Sequence, residues 1–337
     1  MKKINYLDGF SGYGGFHLAL DRAGFQFDKT YFSEIDKFAI ANYTYNYPNS
    51  IYAGSIKDVP RNGIVEKLDL FTFGWPCQDN SIAGKRKGQQ PNTRSGLLYN
   101  AVEVIDKFRP RIFIAENVEG LRSVRQGIDF VESFKVLSFL NSNCPQYDIE
   151  MQLLNTRSVL PQNRMRLYFI GHPRGNGGRK VFPITENDFL DNKSRSNKKE
   201  VHNVAQAMTA NQFDSWNGNF IIEANTKKGY KIAQENDTIN LARMNSLTRR
   251  GRIGKGIANT LDTKCEQGVF KGNSIRRLTP IECERLQGLP DNFTKHGIFT
   301  GIIKEISDRQ RYKLTGNGVS ATLVEIIAKK ILPLFND

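Results

Sequence analysis

Cys77, Glu116, Arg164 and Arg166 are the residues whose types and settings could do covalent chemistry. Cys77 closes Gly74-Trp-Pro-Cys and is followed by the polar run Gln78-Asp-Asn-Ser81, which argues against a core position. The β-prone run Leu68–Phe73 precedes it, so Cys77 should follow the C-terminal end of a parallel strand, where open α/β sheets place ligands. A reactive thiolate needs a positive field or a helix N-terminus nearby. The loop 84–94 holds Lys85, Arg86, Lys87 and Arg94 and no acid. It reads either as a phosphate-binding flap or as a solvated basic loop. Ala115-Glu-Asn-Val118 ends another expected central strand, which puts the Glu116 carboxyl at the same sheet edge. A thiol nucleophile beside a carboxylic acid suits addition to an activated double bond, the acid protonating its electron-withdrawing end. Arg164 and Arg166 share one side of an extended segment. They read as structural ion pairs or as groups that orient a substrate.

A second constellation lies at the start of the chain. Asp8-Gly-Phe-Ser-Gly-Tyr-Gly-Gly-Phe16 follows one expected strand and opens a helix, so a ligand can approach the backbone there. Glu34 stands 22 residues after Gly12, the spacing of a ribose-hydroxyl acceptor. Phe10 and Ile35 could sandwich an adenine. The pattern is not GxGxxG, and no Lys-Ser/Thr follows. Glycines kept for packing and an exposed strand-end carboxylate at Glu34 are the alternatives.

Holding these groups at one edge takes a sheet. Strands are expected at Ile4–Phe10, Thr30–Ser33, Ile51–Ala53, Leu68–Phe73 and Arg111–Ala115, with helices at Gly15–Ala23, Lys37–Tyr45, Leu97–Phe108 and Phe130–Leu140. Ile149–Leu154 and Leu167–Ile170 should form two more strands, antiparallel at one edge. The alternation predicts a mostly parallel α/β sheet with helices on both faces. After Gly171 the chain turns polar and poorly periodic. Residues 172–275 carry 17 Lys/Arg and 10 Asp/Glu, half of the net +14 of all 337 residues. A helix is expected at Pro280–Gln287. Val319–Leu332 reads as an apolar helix that returns to the first domain. The expected division is 1–171 with 308–337 as one unit and 172–307 as a second domain with its hinge.

The remaining composition bounds the function. No run of 18 apolar residues exists to span a membrane. Asp8, Gly9 and Ser11 interrupt any signal-peptide core, so export is not expected. The four cysteines are 67, 121 and 18 residues apart without a CxxC, so neither a metal cluster nor a disulfide framework is indicated. Cys144, Cys265 and Cys283 read as structural, and a cytoplasmic setting fits. The positive charge points to a polyanion.

Taken in order, these motifs resemble the cytosine-C5 DNA methyltransferase family of the bacterial restriction–modification type. Added to them are Gln162-Asn-Arg-Met-Arg166, Arg276-Arg-Leu-Thr-Pro-Ile-Glu-Cys-Glu-Arg-Leu-Gln-Gly288 and Gly316-Asn-Gly-Val319. The resemblance spans the chain except for about 172–275, where that family carries a variable target-recognition segment. It implies a Rossmann-like, S-adenosylmethionine-dependent fold with a smaller, irregular β-rich recognition domain. It implies a cofactor site of Phe10, Ser11, Gly12, Gly14, Gly15, Phe16, Glu34, Ile35, Ser55, Ile56, Gly74, Pro76, Asn317 and Val319. Cys77 would attack C6 of a flipped cytosine, Glu116 would protonate N3, Arg166 would orient the ring and steady developing charge, and Arg164 would join the catalytic set. Double-stranded DNA would be held by Gln78, Ser81, Lys85, Arg86, Lys87, Arg94, Arg243, Arg249, Arg250 and Arg252, the last four within a basic, glycine-bearing stretch.

The resemblance further implies a bacterial or phage-encoded monomer, with an endonuclease in the same system. Three departures stand out: Ser55 where the family often has Asp, Trp75 where Phe is commoner, and Asn80 where an aromatic is common. The alternatives are a tRNA cytosine methyltransferase, a catalytically silent DNA-binding relative and a small-molecule methyltransferase.

Overall fold

The computed structural model describes residues 3–76, 96–175, 180–193, 220–223, 230–242, 253–271 and 274–335. Strands and helices alternate from the start: β1 (Ile4–Gly9), α1 (Gly15–Ala23), β2 (Phe27–Ser33), α2 (Lys37–Asn46), β3 (Ile51–Tyr52), β4 (Leu70–Gly74), α3 (Leu97–Phe108), β5 (Ile112–Val118) and α4 (Ile128–Phe139). β6 (Tyr147–Asn155), β7 (Gln162–Asn163) and β8 (Met165–Pro173) follow. One seven-stranded sheet runs in the order β3-β2-β1-β4-β5-β8-β6. The first five of these strands are mutually parallel. β8 is antiparallel to both β5 and β6. The expected antiparallel edge is therefore a single inverted strand between two that run with the rest.

The strands alternate their side chains between two cores, as a period of two requires. Tyr6, Leu70, Ile112, Ile114 and Ile170 point to one face, Leu7, Phe71, Phe73, Phe113 and Phe169 to the other. The order reverses between β1 and β4, the point beyond whose carboxyl ends open α/β sheets bind ligands.

The variable region holds α5 (Glu186–Lys193), β9 (Phe220–Glu223), β10 (Tyr230–Ala233), β11 (Thr238–Asn240), β12 (Ile253–Gly254), β13 (Ala258–Asn259), β14 (Gln267–Lys271) and β15 (Ser274–Arg277). β12-β11-β14-β15 form an antiparallel sheet, and β9 pairs with β10. β13 pairs in parallel with β7, Ala258 opposite Gln162, and ties this region to the first. Cys265 and Cys283 are buried there with their sulfurs 3.2 Å apart, whereas Cys144 is exposed.

α6 (Pro280–Leu286) starts where expected, with Thr279 and Glu282 forming a reciprocal capping box and Pro280 in the first turn. After it come β16 (His296–Phe299), β17 (Ile302–Glu305), α7 (Asp308–Asn317) and α8 (Ala321–Ile331). α7 was not expected from its polar sequence. Its buried face includes the charged Arg311, which pairs with buried Glu284 at 2.9 Å, so no apolar stripe announces it.

α8 does return to the first sheet. Leu323, Val324, Ile326, Ile327 and Ile331 join Phe16, Ala19 and Leu20 of α1 in one core. Full burial of such side chains contributes roughly 1.5–3 kcal/mol each. That burial docks the turn at 317–319 beside the glycine turn of residues 9–15. Among the described residues no helix is long and apolar enough to cross a membrane.

Candidate active site

The glycine turn leaves β1 at its buried carboxyl end. Phe10 has φ 52°, Gly12 φ 56° and Gly14 φ 85°. At Gly12 a side chain would meet nothing within 4 Å, so the backbone there is open to a ligand. Gly12 N donates to Glu34 Oε2 at 3.0 Å. The other carboxylate oxygen accepts from Ile35 N at 2.7 Å and Asp36 N at 2.9 Å. Three backbone donors thus fix the Glu34 carboxylate against the turn. Ser11 is buried and its hydroxyl has no partner among the described residues. Phe10 is half-buried, and Ile35, next to Glu34, is 76% exposed.

Ser55 is half-buried, and its carbonyl accepts from Asp58 N at 2.8 Å. Ile56 lies in the core with its Cδ1 near Gly9. Phe16 is buried in the α1 core. Asn317 is exposed, whereas Val319 is buried and its Cγ2 approaches the space that a Gly15 side chain would fill.

The second half of the site is set by strand register. Gly74 stands opposite Glu116, and Val118 opposite Arg166. A side chain at Gly74 would come within 3.3 Å of Glu116 Oε2, so glycine lets the carboxylate lie against β4. Arg166 Nε sits 2.8 Å from Glu116 Oε1, close as an ion pair although the angle falls short of a directed hydrogen bond. Arg164 is 2% exposed, and its Nη2 donates to Gly318 O at 2.6 Å. Its Nε and Nη1 have no partner among the described residues. Burial, then the neighbouring Arg166, push the Arg164 pKa down to about 10, while Glu116 opposes them. The guanidinium stays charged at neutral pH and has donors to offer. Pro76, half-buried, is the last described residue before Cys77.

Cys77, Gln78, Asn80, Ser81, Lys85, Arg86, Lys87, Arg94, Arg243, Arg249, Arg250 and Arg252 lie outside the described residues. The structure adds groups that sequence reasoning did not single out. Asn117 is buried and its Nδ2 donates to Trp75 O at 3.3 Å, which ties β5 to the approach to Cys77. Asp8 is fully buried beneath the glycine turn, accepting from Thr72 Oγ1 at 3.3 Å, and burial raises its pKa well above the carboxylate range. A charged residue inside an apolar strand is the signal that could have found Asp8. Nothing in sequence marks the backbone acceptor of Asn117.

The geometry can therefore bind a nucleoside at the glycine turn and polarise a second ring beside Glu116 and the arginines. The sequence profile described as C-5 cytosine-specific DNA methylase matches residues 4–333. The type II methyltransferase M1.ScrFI of Lactococcus lactis subsp. cremoris is 30% identical over 341 residues, covering 98% of this chain and 78% of that one. The type II methyltransferase M.HpaII of Haemophilus parainfluenzae is 28% identical, covering 98% and 90%. Among solved structures, the Dnmt2 methyltransferase of S. pombe superimposes with a TM-score of 0.63 at 14% identity, covering 98% of this chain and 99% of that one.

Proposed function

Because the chain belongs to the C-5 cytosine-specific DNA methylase family, it is a DNA cytosine-5-methyltransferase of the restriction–modification type, and we propose how its residues carry the reaction. The observation behind the reading is the register that sets Glu116 opposite Gly74, with Arg166 2.8 Å from its carboxylate, at the strand ends from which the glycine turn also leaves. Cytosine C5 is a poor nucleophile until C6 carries an adduct. The Cys77 thiolate adds to C6, and Glu116 gives a proton to N3 as the ring's electron pair shifts. Arg166 holds Glu116 and orients the ring, and Arg164 adds the donors it has left over. When bound, S-adenosylmethionine supplies the methyl group that C5 accepts. Loss of the C5 proton then expels the Cys77 sulfur, N3 returns its proton to Glu116, and the aromatic ring is restored.

The residues present fit that cofactor. The open face of Gly12, the buried unpartnered hydroxyl of Ser11 and the fixed Glu34 carboxylate suit a nucleoside. Gly14, Gly15, Phe16, Ser55, Ile56, Gly74, Pro76, Asn317 and Val319 are the proposed remainder of the pocket. The substrate is double-stranded DNA, whose target base must leave the stack to reach Glu116. Residues 1–171 with 308–337 would form the catalytic unit, and 172–307 the recognition unit with its hinge. A monomer working in the cytoplasm alongside a cognate endonuclease completes the reading.

Bisulfite sequencing of a mixed plasmid, after incubation with the protein and S-adenosylmethionine, tests it. Protected cytosines in one short repeated context are the expected result. Cys77→Ser should abolish protection while leaving DNA binding intact; protection that survives this change would overturn the assignment of nucleophile.

A further inference from the structure

Tyr13 belongs to the glycine turn, yet it is fully buried. Its hydroxyl donates to Val319 O. Its ring fills the space beside Gly318, where an added Cβ would stand 1.9 Å from ring carbon Cε1. On its other side lies Gly15, whose Cβ position is 2.8 Å from both the Tyr13 ring and Val319 Cγ2. Two successive carbonyls of the returning turn are thus each held by a side chain. Tyr13 holds that of Val319, and Arg164 holds that of Gly318 at 2.6 Å. Burial raises the phenol's pKa, so it remains a donor across the working pH range. Arg164 and Glu116 are the charged groups closest to it electrostatically.

We propose that Tyr13 is a positioning residue: it locks the 317–319 turn onto the glycine turn, and through Gly318 it fixes the place of Arg164. The phenol would then set the spacing between the cofactor pocket and the base site without touching either ligand. The proposal rests on the reading of the two turns as walls of the cofactor pocket.

Tyr13→Phe removes one oxygen and keeps the ring. It leaves the Val319 carbonyl buried without its donor, a loss equivalent to about tenfold in an equilibrium that requires the ordered turn. The expected result is a KM for S-adenosylmethionine raised about tenfold and, because Arg164 loses its fixed place, a kcat lowered by about tenfold as well, with the melting temperature close to wild type. Amide exchange at Ala321, which donates to Gln287 O at 2.9 Å, should quicken in the cofactor-free variant. Tyr13→Leu, which also removes the ring, should lose kcat and stability together. Unchanged exchange at Ala321 in Tyr13→Phe would overturn the lock, whether or not cofactor binds. A fall of kcat and KM performance in step with melting temperature would reduce Tyr13 to core filling. Calorimetry of the wild type with S-adenosylhomocysteine separates the two layers: absence of heat there defeats the pocket reading, while the exchange result still decides the lock.

Discussion

Arg164 is a buried cation whose Nε and Nη1 make no hydrogen bond among the described residues. Desolvating such a charge costs several kcal/mol unless partners return it. On the proposed reading, the partners of its free donors come from a bound substrate. Replacing Arg164 by Met, similar in reach and apolar, should therefore leave the free protein close to wild type in thermal melting, the charge no longer desolvated offsetting the lost bond to Gly318 O. The same variant should lose turnover by about a hundredfold or more, as loss of one preorganised donor does. A variant that melts much lower but turns over normally would show Arg164 to be structural. At this scale the chemistry was partly legible. Gly12 and Glu34 stand 22 apart in sequence and meet at 3.0 Å. The pairing of Glu116 with Arg166 follows from strand ends. Tyr13 and Asn117 were illegible because both act on backbone carbonyls, at Val319 and Trp75, and a sequence does not record which carbonyl lies opposite a side chain.

On α1, one helical turn carries two groups whose protons pull in opposite directions. Burial lowers the His17 pKa to about 3, and burial raises that of Asp21 to about 6. His17 also stacks on Tyr47 at 3.8 Å and bonds the Tyr43 hydroxyl at 2.9 Å, so the neutral ring is the one that fits. As pH falls from about 6.5 to 3, the unfolded chain takes up a proton on His17 that the folded chain refuses, and stability is lost. Asp21 behaves oppositely. Its folded form keeps a proton up to about pH 6 that the unfolded chain releases above about 3.9, so its contribution is present in acid and lost as pH rises. Between about pH 4 and 6 the two nearly cancel.

Asp21→Asn should therefore steepen the fall of stability toward acid by up to about 1.4 kcal/mol per pH unit relative to wild type. His17→Gln should tilt the curve the other way. Each tilt is read as a change of slope from wild type, so titrating groups away from this turn drop out, while His17 Nε2 and Asp21 Oδ1, 3.7 Å apart, report on each other. The Asp21 share is the smaller, because its side chain is 44% exposed and screened. Parallel curves for all three proteins would defeat the argument.

α6 offers a simpler test. Thr279→Ala removes the cap from Glu282 N and should cost about 1 kcal/mol in chemical denaturation. Glu282→Ala should cost more, since Glu282 also holds Arg276 through bonds of 2.9 and 2.7 Å. Equal losses from the two would mean that the Arg276 pair contributes nothing.

Over the whole molecule, legibility follows burial. β1, β4 and β5 are covered on both faces, so they read as apolar runs, and their order along the chain announces a parallel sheet. The variable region builds its sheets from strands of two to five residues, too short for a periodic signal. Its charge was legible where its structure was not. Several cations of the described part are committed internally: Lys255 to Asp237 at 2.7 Å, Arg276 to Glu282, and Arg277 over the Tyr312 ring at 4.4 Å. The stretches holding Lys85–Lys87 and Arg243–Arg252 are among the basic ones that remain. On the proposed reading these meet phosphates. Each phosphate neutralised releases counterions, so a protein making 6–10 such contacts loses about 10³–10⁵ in affinity between 50 and 200 mM salt. DNA binding measured across that range should show this slope. Arg249→Ala with Arg250→Ala should lower it by about 1 per lost contact, on target and non-target duplexes alike. A slope left intact, with affinity lost only on the target duplex, would move these arginines from phosphates to base edges.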